Sequence, residues 1–292
     1  MRVSINVTNY SWPGGPTAIG AGLARVVRAA EQAGVDTAWV SDHLVQADPT
    51  SDPDAEMIEA YTALGFLAGQ TERIKLGVMV TNAAFRQPAM LVKIVTSLDV
   101  LSRGRAWLGI GAGYQADEAA AMGFTLPPVA ERFERLEETL QIALHMWSGK
   151  DTTAIETPHY RLERPVTNPK PVRQPHPPIL IGGMGEAKTL RLVARYADAC
   201  NMFDIPDGGR TLKHKLSVLA AHCEDAGRPP EAIEKTVSTR LSPGEPADSF
   251  VRRCAVLSEL GFRHAVVITA GPWTEEGVAS LAAAIPALNE LP

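Results

Sequence analysis

The sequence predicts an α/β protein whose parallel strands close into a (β/α)8, or TIM, barrel. Eight short β-type segments each precede a segment of helical periodicity. Their starts lie near residues 3, 36, 75, 106, 178, 198, 235 and 265, evenly spaced except after the fourth. A proline-rich insertion at about 150–177 accounts for that one long interval. The 292 residues suit such a barrel as a single domain. An open doubly wound sheet is the alternative, but it needs a reversal of strand order that even spacing does not indicate.

The first half of the chain supplies four strand–helix units. Gly34 ends a first helix, a second begins near Met57, and Pro88 opens a third at a position where its missing N–H costs nothing. A fourth, long amphipathic helix runs from about Phe133 to Trp147. The predicted strands of this half are Arg2–Val7, a strand from Thr37 that stops at Asp42, Ile74–Val80 and Arg105–Gly109.

The second half repeats the pattern after the insertion. Two stretches of the insertion, Thr152–Ile155 and His159–Leu162, predict a small hairpin. The strands that follow are predicted at Pro178–Ile181, Ala199–Phe203, Ile233–Thr239 and His264–Thr269. Each precedes an amphipathic helix, so these segments complete eight units.

Composition argues against several classes of protein. The net charge of −5 gives no general support to nucleic-acid binding. The chain starts directly with a strand, which predicts no signal peptide, and no apolar run is long enough for a bilayer. Three separated cysteines predict no disulfide framework, and seven scattered histidines without an HxH or HExxH pair disfavour metal catalysis. We therefore expect a cytoplasmic protein.

Asp42 and His43 stand where the second predicted strand ends. In parallel sheets and barrels, ligands bind at the carboxyl ends of the strands. A carboxylate beside an imidazole at such an end suits proton transfer near neutral pH. The alternative is that Asp42 caps the next segment and His43 packs beneath a loop.

Two glycine-rich segments follow strands four and five. Backbone N–H groups in such turns are free to bind phosphate oxygens, although both segments also suit tight barrel turns. The first lacks the spacing of a dinucleotide fingerprint, and the acidic pair after it, Asp117 and Glu118, suits either acid–base chemistry or helix capping. The second has Lys188 one turn into the following helix and is the better phosphate site. The candidate residues are Gly111, Ala112, Gly113, Gly182, Gly183, Met184, Gly185 and Lys188.

At these residues the chain resembles the luciferase-like monooxygenase superfamily, and within it the actinobacterial oxidoreductases that use coenzyme F420, an 8-hydroxy-5-deazaflavin. The matching segments are AWVSDHL (38–44), RIKLGVMVTNAAFRQPAMLVKIVTSLDVLSRGR (73–105), LGIGAGYQADEAAAMGF (108–124) and PPILIGGMGEAKTLRLVARYADACNMF (177–203). They cover most of the predicted barrel in the order seen in that superfamily. The resemblance implies a TIM barrel with an insertion after strand four.

The resemblance also implies roles for individual residues. Asp42 and His43 match a pair that contacts the deazaflavin, and His43 would exchange the proton that accompanies hydride transfer while Asp42 holds the imidazole or a polar group of the ring. A non-proline cis peptide is implied in the segment Met79, Val80 and Thr81. The two glycine segments would line the ring, the ribityl chain and the phosphate. Barrel geometry further places four aromatic residues on the substrate side: Trp12, Tyr114, Phe203 and Trp273.

The chain departs from the sugar-phosphate dehydrogenase branch at two points. Tyr114 stands where that branch has a glutamate, and residues 45–47 lack its tryptophan, so oxidation of a sugar 6-phosphate is not expected. Two alternatives stay open: a monooxygenase that uses reduced FMN and oxygen, and a non-catalytic deazaflavin-binding protein. A homodimer is common among these relatives. The substrate is not indicated.

Overall fold

The computed structural model describes residues 1–149 and 152–292 and confirms the predicted barrel. The strands of its main sheet are β1 (Arg2–Val7), β2 (Thr37–Val40), β3 (Lys75–Val78), β4 (Thr81–Asn82), β5 (Leu108–Gly111), β8 (Ile179–Gly182), β9 (Ala199–Phe203), β10 (Glu234–Arg240) and β11 (His264–Ile268). All neighbouring strands of this sheet run parallel, in the order β3-β2-β1-β11-β10-β9-β8-β5-β4. The even spacing of the sequence therefore reflects a closed barrel and not an open sheet.

The third barrel strand consists of two pieces, β3 and β4, separated by Met79 and Val80. Closure runs through the first piece: the Leu76 amide donates to Arg105 O at 3.0 Å, and the Trp107 amide donates to Leu76 O at 2.8 Å. The second piece pairs with β5, where Thr81 lies opposite Ile110. The strand predicted over Ile74–Val80 is thus shorter in the structure, where it ends at Val78, and the third barrel strand resumes at Thr81 near the mouth of the barrel.

Helices cover the outside of the barrel. Within the described residues they are α1 (Pro16–Gln32), α2 (Ala60–Gln70), α3 (Pro88–Leu101), α4 (Ala116–Ala121), α5 (Val129–Ser148), α6 (Thr189–Tyr196), α7 (Arg210–Asp225), α8 (Ala247–Glu259) and α9 (Glu275–Asn289). In the described part of the chain, no helix combines the length and apolar character that crossing a membrane requires.

Two helix predictions needed correction. The second helix begins at Ala60 and not near Met57, because the Glu59 side chain accepts a hydrogen bond from the Thr62 amide at 2.7 Å and caps the helix there. The short helix α4 was not predicted as a separate element. It has fewer than two turns and an alanine-rich sequence, so helical periodicity cannot reveal it.

The barrel interior is filled by a small apolar cluster below the mouth. Trp39 and Trp107 meet edge to face with ring centroids 5.8 Å apart, and Leu180, Ala199 and Val266 complete the cluster. Glycine is required beside this pair, since a Cβ atom at Gly77 would lie 2.4 Å from the Trp39 ring. Large side chains opposite glycine thus close the barrel beneath its upper cavity.

Charged groups connect strands at the opposite, N-terminal end of the barrel. Asp36, just before β2, lies 2.9 Å from Lys75 Nζ and 3.3 Å from Arg2 Nη1. Glu234 lies 2.5 Å from Arg2 Nη2 and 3.0 Å from His264 Nδ1. The network joins five strand starts, far from the cavity described below.

The predicted hairpin is present, but shorter and shifted within the insertion. Its strands are β6 (Ile155–Glu156) and β7 (Arg161–Leu162), which pair antiparallel. The first two residues of the predicted insertion, 150 and 151, lie outside the described residues. Farther along, the Asp99 carboxylate of α3 accepts hydrogen bonds from the amides of Val172 and Arg173 at 2.7 and 2.9 Å. A buried carboxylate thus fixes the returning chain to the barrel.

Candidate active site

A cavity of about 560 Å³ opens at the carboxyl ends of the barrel strands. Each strand of the barrel, or the chain directly after it, contributes to the wall, from Asn6 of β1 to Ile268 of β11. The volume falls in the range of roughly 300–1,000 Å³ that small-molecule and cofactor sites occupy. The cavity therefore lies at the end of the barrel where the sequence analysis expects ligands to bind.

Most of the predicted site residues meet in this cavity. Those that line it are Asp42, His43, Met79, Val80, Thr81, Gly111, Ala112, Gly113, Gly182 and Gly183. Met184, Gly185 and Lys188 are not part of its lining. Met184 turns its sulfur toward the Phe203 amide at 3.5 Å, and Lys188 Nζ lies 5.4 Å from the centroid of the Phe133 ring.

The predicted position of Lys188 was wrong. Lys188 is the residue immediately before α6 and not one turn inside it. The first helical residue, Thr189, lines the cavity instead, and Gly183 has a φ of +120°, which an L side chain rarely adopts. The N-terminus of α6 thus faces the cavity, with its backbone N–H groups and the positive end of its dipole on that side.

One wall of the cavity is built from backbone and small side chains. The peptide bond between Met79 and Val80 is cis, within the segment that the resemblance indicated. Val80 packs directly on two glycines, since a Cβ atom at Gly111 or at Gly182 would lie 2.9 Å from one of its methyl groups. Glycine is therefore required at both positions for Val80 to occupy this wall.

His43 is oriented by a glutamate that the sequence analysis did not select as its partner. Its Nδ1 lies 3.1 Å from Oε2 of Glu118, while Oε1 of Glu118 accepts the Leu44 amide at 2.5 Å and the Val45 amide at 3.4 Å. Glu118 belongs to the first turn of α4 and is only 5% exposed. Its buried carboxylate fixes both the imidazole and the backbone next to it.

The other imidazole nitrogen of His43 faces the cavity side. The hydroxyl of Tyr114 lies 3.4 Å from His43 Nε2, and the two rings meet edge to face with centroids 5.8 Å apart. When Nδ1–H donates to Glu118, Nε2 carries the lone pair and can accept a proton. Glu118, His43 and Tyr114 therefore form a hydrogen-bonded chain that ends at the cavity.

Asp42 does not hold the imidazole of His43, which was one of the two roles expected for it; the other, contact with a polar group of the cofactor ring, stays a prediction. Its carboxylate pairs with Arg86 through two hydrogen bonds of 2.7 and 2.8 Å and also accepts the Asn82 amide at 2.8 Å. Arg86 further binds Glu59 at 2.7 Å and lies over the Tyr61 ring at 5.0 Å. Asp42 is thus the buried anchor of an ionic cluster that joins β2 to the chain after β4.

Burial and ion pairing have opposite effects on the pKa values of this ionic cluster. It raises the pKa of the Asp42 carboxyl, against the opposing effect of the hydrogen bonds and charge of Arg86. Burial alone would lower the pKa of the Arg86 guanidinium, but its bonds to Asp42 raise it instead. Tyr61 donates to or accepts from Thr81 at 2.7 Å, and burial raises the pKa of its phenol as well.

The wall opposite Val80 carries several neutral polar groups. Asn201 Nδ2 donates to Ser238 Oγ at 2.8 Å, and Thr236 Oγ1 donates to Asn201 Oδ1 at 2.9 Å. Asn6 is nine-tenths buried, lines the cavity, and its Oδ1 has no hydrogen-bond partner among the described residues. Phe203 lies exposed at the rim. The three amide and hydroxyl side chains of Asn6, Asn201 and Ser238 offer hydrogen bonds without formal charge.

Two of the four aromatic residues expected on the substrate side do not line the cavity. Trp12 and Trp273 are buried in the main core, where Trp12 Nε1 donates to Trp273 O at 2.7 Å and Trp273 Nε1 donates to Asn6 O at 2.9 Å. Tyr114 and Phe203 do line it. The expectation failed because both tryptophans satisfy their indole N–H groups inside the protein.

An ion pair crosses one side of the cavity mouth. Arg240, at the end of β10, has its Nη2 3.0 Å from each carboxylate oxygen of Asp48 in the loop after β2. The loop is also fixed to β1, because Gln46 Nε2 donates to Thr8 O at 3.1 Å. Residues 46–49 of this loop all line the cavity and form its outer wall.

A family model described as luciferase-like monooxygenase matches residues 1–285. The chain belongs to the luciferase-like monooxygenase family. This confirms the resemblance seen in the sequence.

Two groups of relatives are similar to most of the chain. An F420-dependent glucose-6-phosphate dehydrogenase of Kineococcus radiotolerans is 31% identical over 226 residues, which cover 75% of this chain but 63% of that protein, less than two thirds of its length. A phthiodiolone/phenolphthiodiolone dimycocerosates ketoreductase of Mycobacterium bovis is 30% identical over 267 residues, covering 86% of this chain and 68% of the relative.

Solved structures of low sequence identity share the fold. An F420-dependent secondary alcohol dehydrogenase, in complex with an F420-acetone adduct, aligns over 99% of both chains with a TM-score of 0.83 and 18% identity. The coenzyme F420-dependent tetrahydromethanopterin reductase of Methanopyrus kandleri aligns over 98% of this chain and 99% of its own, with a TM-score of 0.79 and 16% identity. These likenesses confirm the barrel.

Proposed function

We propose that this protein is an enzyme that binds coenzyme F420 and catalyses hydride transfer between that cofactor and a small organic substrate. The observation that carries the proposal is the chain Glu118–His43–Tyr114, which brings an oriented proton acceptor to a cavity walled by glycine backbone. Relatives that match most of the chain are F420-dependent by name. Family membership supports the same reaction class.

The residues of the cavity fit a deazaflavin. The wall of Met79, Val80 and Gly111 presents apolar groups and backbone to a fused ring, and any larger residue in place of the glycine would collide with Val80. The N-terminus of α6, with Thr189 and Gly183, would hold an anionic phosphate. Arg132, whose Nη1 donates to Gly113 O at 2.5 Å, adds a positive charge on the same side.

Bound F420 would supply a two-electron couple that accepts or donates one hydride. The protein would bind and orient both reactants and manage the accompanying proton. In the direction of alcohol oxidation, His43 Nε2 would accept the hydroxyl proton as the carbon–hydrogen bond is broken; in the reverse direction it would return that proton to the carbonyl oxygen. Glu118 would keep Nδ1 protonated and the ring fixed, and Tyr114 would donate to Nε2 until substrate replaces it.

The test is a redox assay with F420 in place of any assumed natural substrate. Oxidised F420 is mixed with the protein and a panel of alcohols, and reduced F420 with a panel of carbonyl compounds, while the visible absorbance of the cofactor is followed. His43→Gln should lower the rate by roughly 10²–10⁴-fold with little change in F420 binding, the usual contribution of acid–base catalysis. An unchanged rate in His43→Gln would refute the role of this residue.

Glu118→Gln tests whether Glu118 acts on the reaction by orienting His43 and not only by supporting the fold. The amide retains an oxygen for the Leu44 and Val45 N–H groups but removes the negative charge opposite Nδ1. We expect a lower rate and an altered pH–rate profile, with F420 affinity retained. Oxygen consumption with reduced FMN, faster than any reaction with F420, would instead indicate a monooxygenase. F420 binding without turnover of any panel member would favour a carrier.

A further inference from the structure

Arg240 brings a positive charge to the cavity wall, but Asp48 already neutralises it. Arg240 Nη2 contacts both carboxylate oxygens of Asp48 at 3.0 Å, and Arg240 Nη1 reaches Thr50 Oγ1 at 3.4 Å. The Asp48 side chain is 7% exposed, whereas that of Arg240 is 45% exposed. A buried carboxylate thus already neutralises the guanidinium that Arg240 contributes to the cavity wall.

Asp48 is held in this arrangement by its own loop. The Thr50 amide and hydroxyl donate to Asp48 Oδ1 at 2.9 and 2.8 Å, and the Asp48 amide donates to Gln46 Oε1 at 2.8 Å. Burial raises the pKa of the Asp48 carboxyl, but the hydrogen bonds from Thr50 and the contact with Arg240 lower it overall. Asp48 is therefore an ionised and fixed partner of Arg240.

The neighbouring cations are occupied as well. Arg253, which donates to the Arg240 carbonyl at 2.7 Å, pairs with Glu245 at 2.9 Å. Arg86 pairs with Asp42, and Arg132 binds the Gly113 carbonyl on the glycine wall assigned above to the cofactor. On the opposite wall, formed by β9, β10 and β11, the remaining surface is neutral: Asn201 and Ser238 are polar, and Phe203 and Ile268 are apolar.

We propose that Asp48 is a specificity-determining residue, which occupies Arg240 and excludes anionic substrates, so that the cavity takes an uncharged alcohol or carbonyl compound. The inference rests on the proposed F420-linked function and deepens it. An anion on this wall would have to displace Asp48 from Arg240 and leave a buried carboxylate unpaired, which is costly. This exclusion of anions would distinguish the substrates of this chain from that of its relative, the F420-dependent glucose-6-phosphate dehydrogenase, because a sugar phosphate is an anion.

Two aryl ketones that differ in one substituent, neutral in one and anionic in the other, provide the test. Acetophenone carries a methyl group where phenylglyoxylate carries a carboxylate, and neither reacts with oxidised F420 because both partners are already oxidised. The protein is first loaded with oxidised F420, and this binding is measured by itself. Each ketone is then titrated into the loaded protein by calorimetry, and the ratio of the two dissociation constants is compared among variants.

Asp48→Asn should release Arg240, and we expect the affinity for phenylglyoxylate relative to acetophenone to rise by about ten-fold, the effect of one charge-assisted hydrogen bond. Adding Arg240→Gln to Asp48→Asn should remove that gain. Glu245→Gln is the matched control, because it frees Arg253, whose side chain does not line the cavity, and it should leave the ratio unchanged. Melting temperature and F420 affinity of each variant report whether its fold and cofactor site are retained.

Failure of the substrate inference is distinct from failure of the proposed function. Absence of F420 binding in the first step would refute the function itself. With F420 bound, the inference is refuted if the unmodified protein binds phenylglyoxylate as tightly as acetophenone, or binds neither ketone. It is also refuted if Asp48→Asn folds and binds F420 but leaves the ratio unchanged, or if the gain persists without Arg240.

Discussion

Breaking the buried ion pair between Asp42 and Arg86 from one side should strongly destabilise the protein. The side chains of Asp42 and Arg86 are 4% and 14% exposed, and two hydrogen bonds of 2.7 and 2.8 Å connect them. Arg86→Met leaves a buried carboxylate without its cation. Removing one partner of such a pair costs about 3–5 kcal/mol, close to the loss of two charge-assisted hydrogen bonds at about 1.5–3 kcal/mol each.

The assay is equilibrium unfolding in urea, read as a change in midpoint at constant slope. The double variant Asp42→Asn/Arg86→Met should be more stable than Arg86→Met alone. The added Asp42→Asn change removes the unpaired charge but keeps an oxygen for the Asn82 amide. Arg25→Met is the matched control: Arg25 and Glu275 are well exposed and 3.9 Å apart, so it should cost less than about 1 kcal/mol. A cost of that small size for Arg86→Met, or a double variant less stable than the single one, would refute the reasoning.

Two further predictions concern the barrel itself. Burial raises the pKa of the Asp36 carboxyl, but its neighbours, first among them His264, lower that pKa to about 2 in the folded protein. The stability that Asp36 confers is therefore complete above the unfolded pKa of 3.8 and is lost as the pH falls through the folded pKa. Asp36→Asn should therefore flatten the acid unfolding curve between about pH 4 and pH 2, and an unchanged curve would contradict this assignment. Gly77→Ala places a Cβ atom 2.4 Å from Trp39 and should destabilise the protein by about 1–3 kcal/mol in thermal unfolding. Gly69→Ala, with nothing beyond its own helix and chain neighbours within 4 Å of the new Cβ, should instead stabilise α2 by about 0.5–1 kcal/mol. An equal gain in Gly77→Ala would contradict the predicted collision with Trp39.

The sequence predicted the barrel well because its strands are short, apolar and separated by amphipathic helices. The bounds of Arg2–Val7 and Ala199–Phe203 agree with the structure, since both strands are almost entirely buried and flanked by turn residues. The hydrogen bonds between β3 and the chain entering β5 cannot be read from periodicity. Neither can the division of the third strand at Met79 and Val80, which depends on packing against glycines of other strands.

The sequence analysis placed the candidate residues at the carboxyl ends of the strands, but it did not predict which side chains contact one another. Asp42 and His43 are adjacent in sequence, yet the first binds Arg86 and the second binds Glu118, 44 and 75 residues away. Successive residues at a strand end point in different directions, so adjacency did not imply contact. The available signal for Glu118 was its position in the first turn after a glycine segment, where a carboxylate suits either capping or catalysis.

The central claim is that the cavity is a deazaflavin site, and a parallel binding titration tests it most directly. Purified protein is titrated with oxidised coenzyme F420 and, separately, with FMN, and binding is followed by the change in cofactor fluorescence. We predict saturable binding of F420, much tighter than that of FMN, and weakened by Gly182→Val, whose side chain would collide with Val80. Tighter binding of FMN than of F420, or binding of neither, would contradict the account.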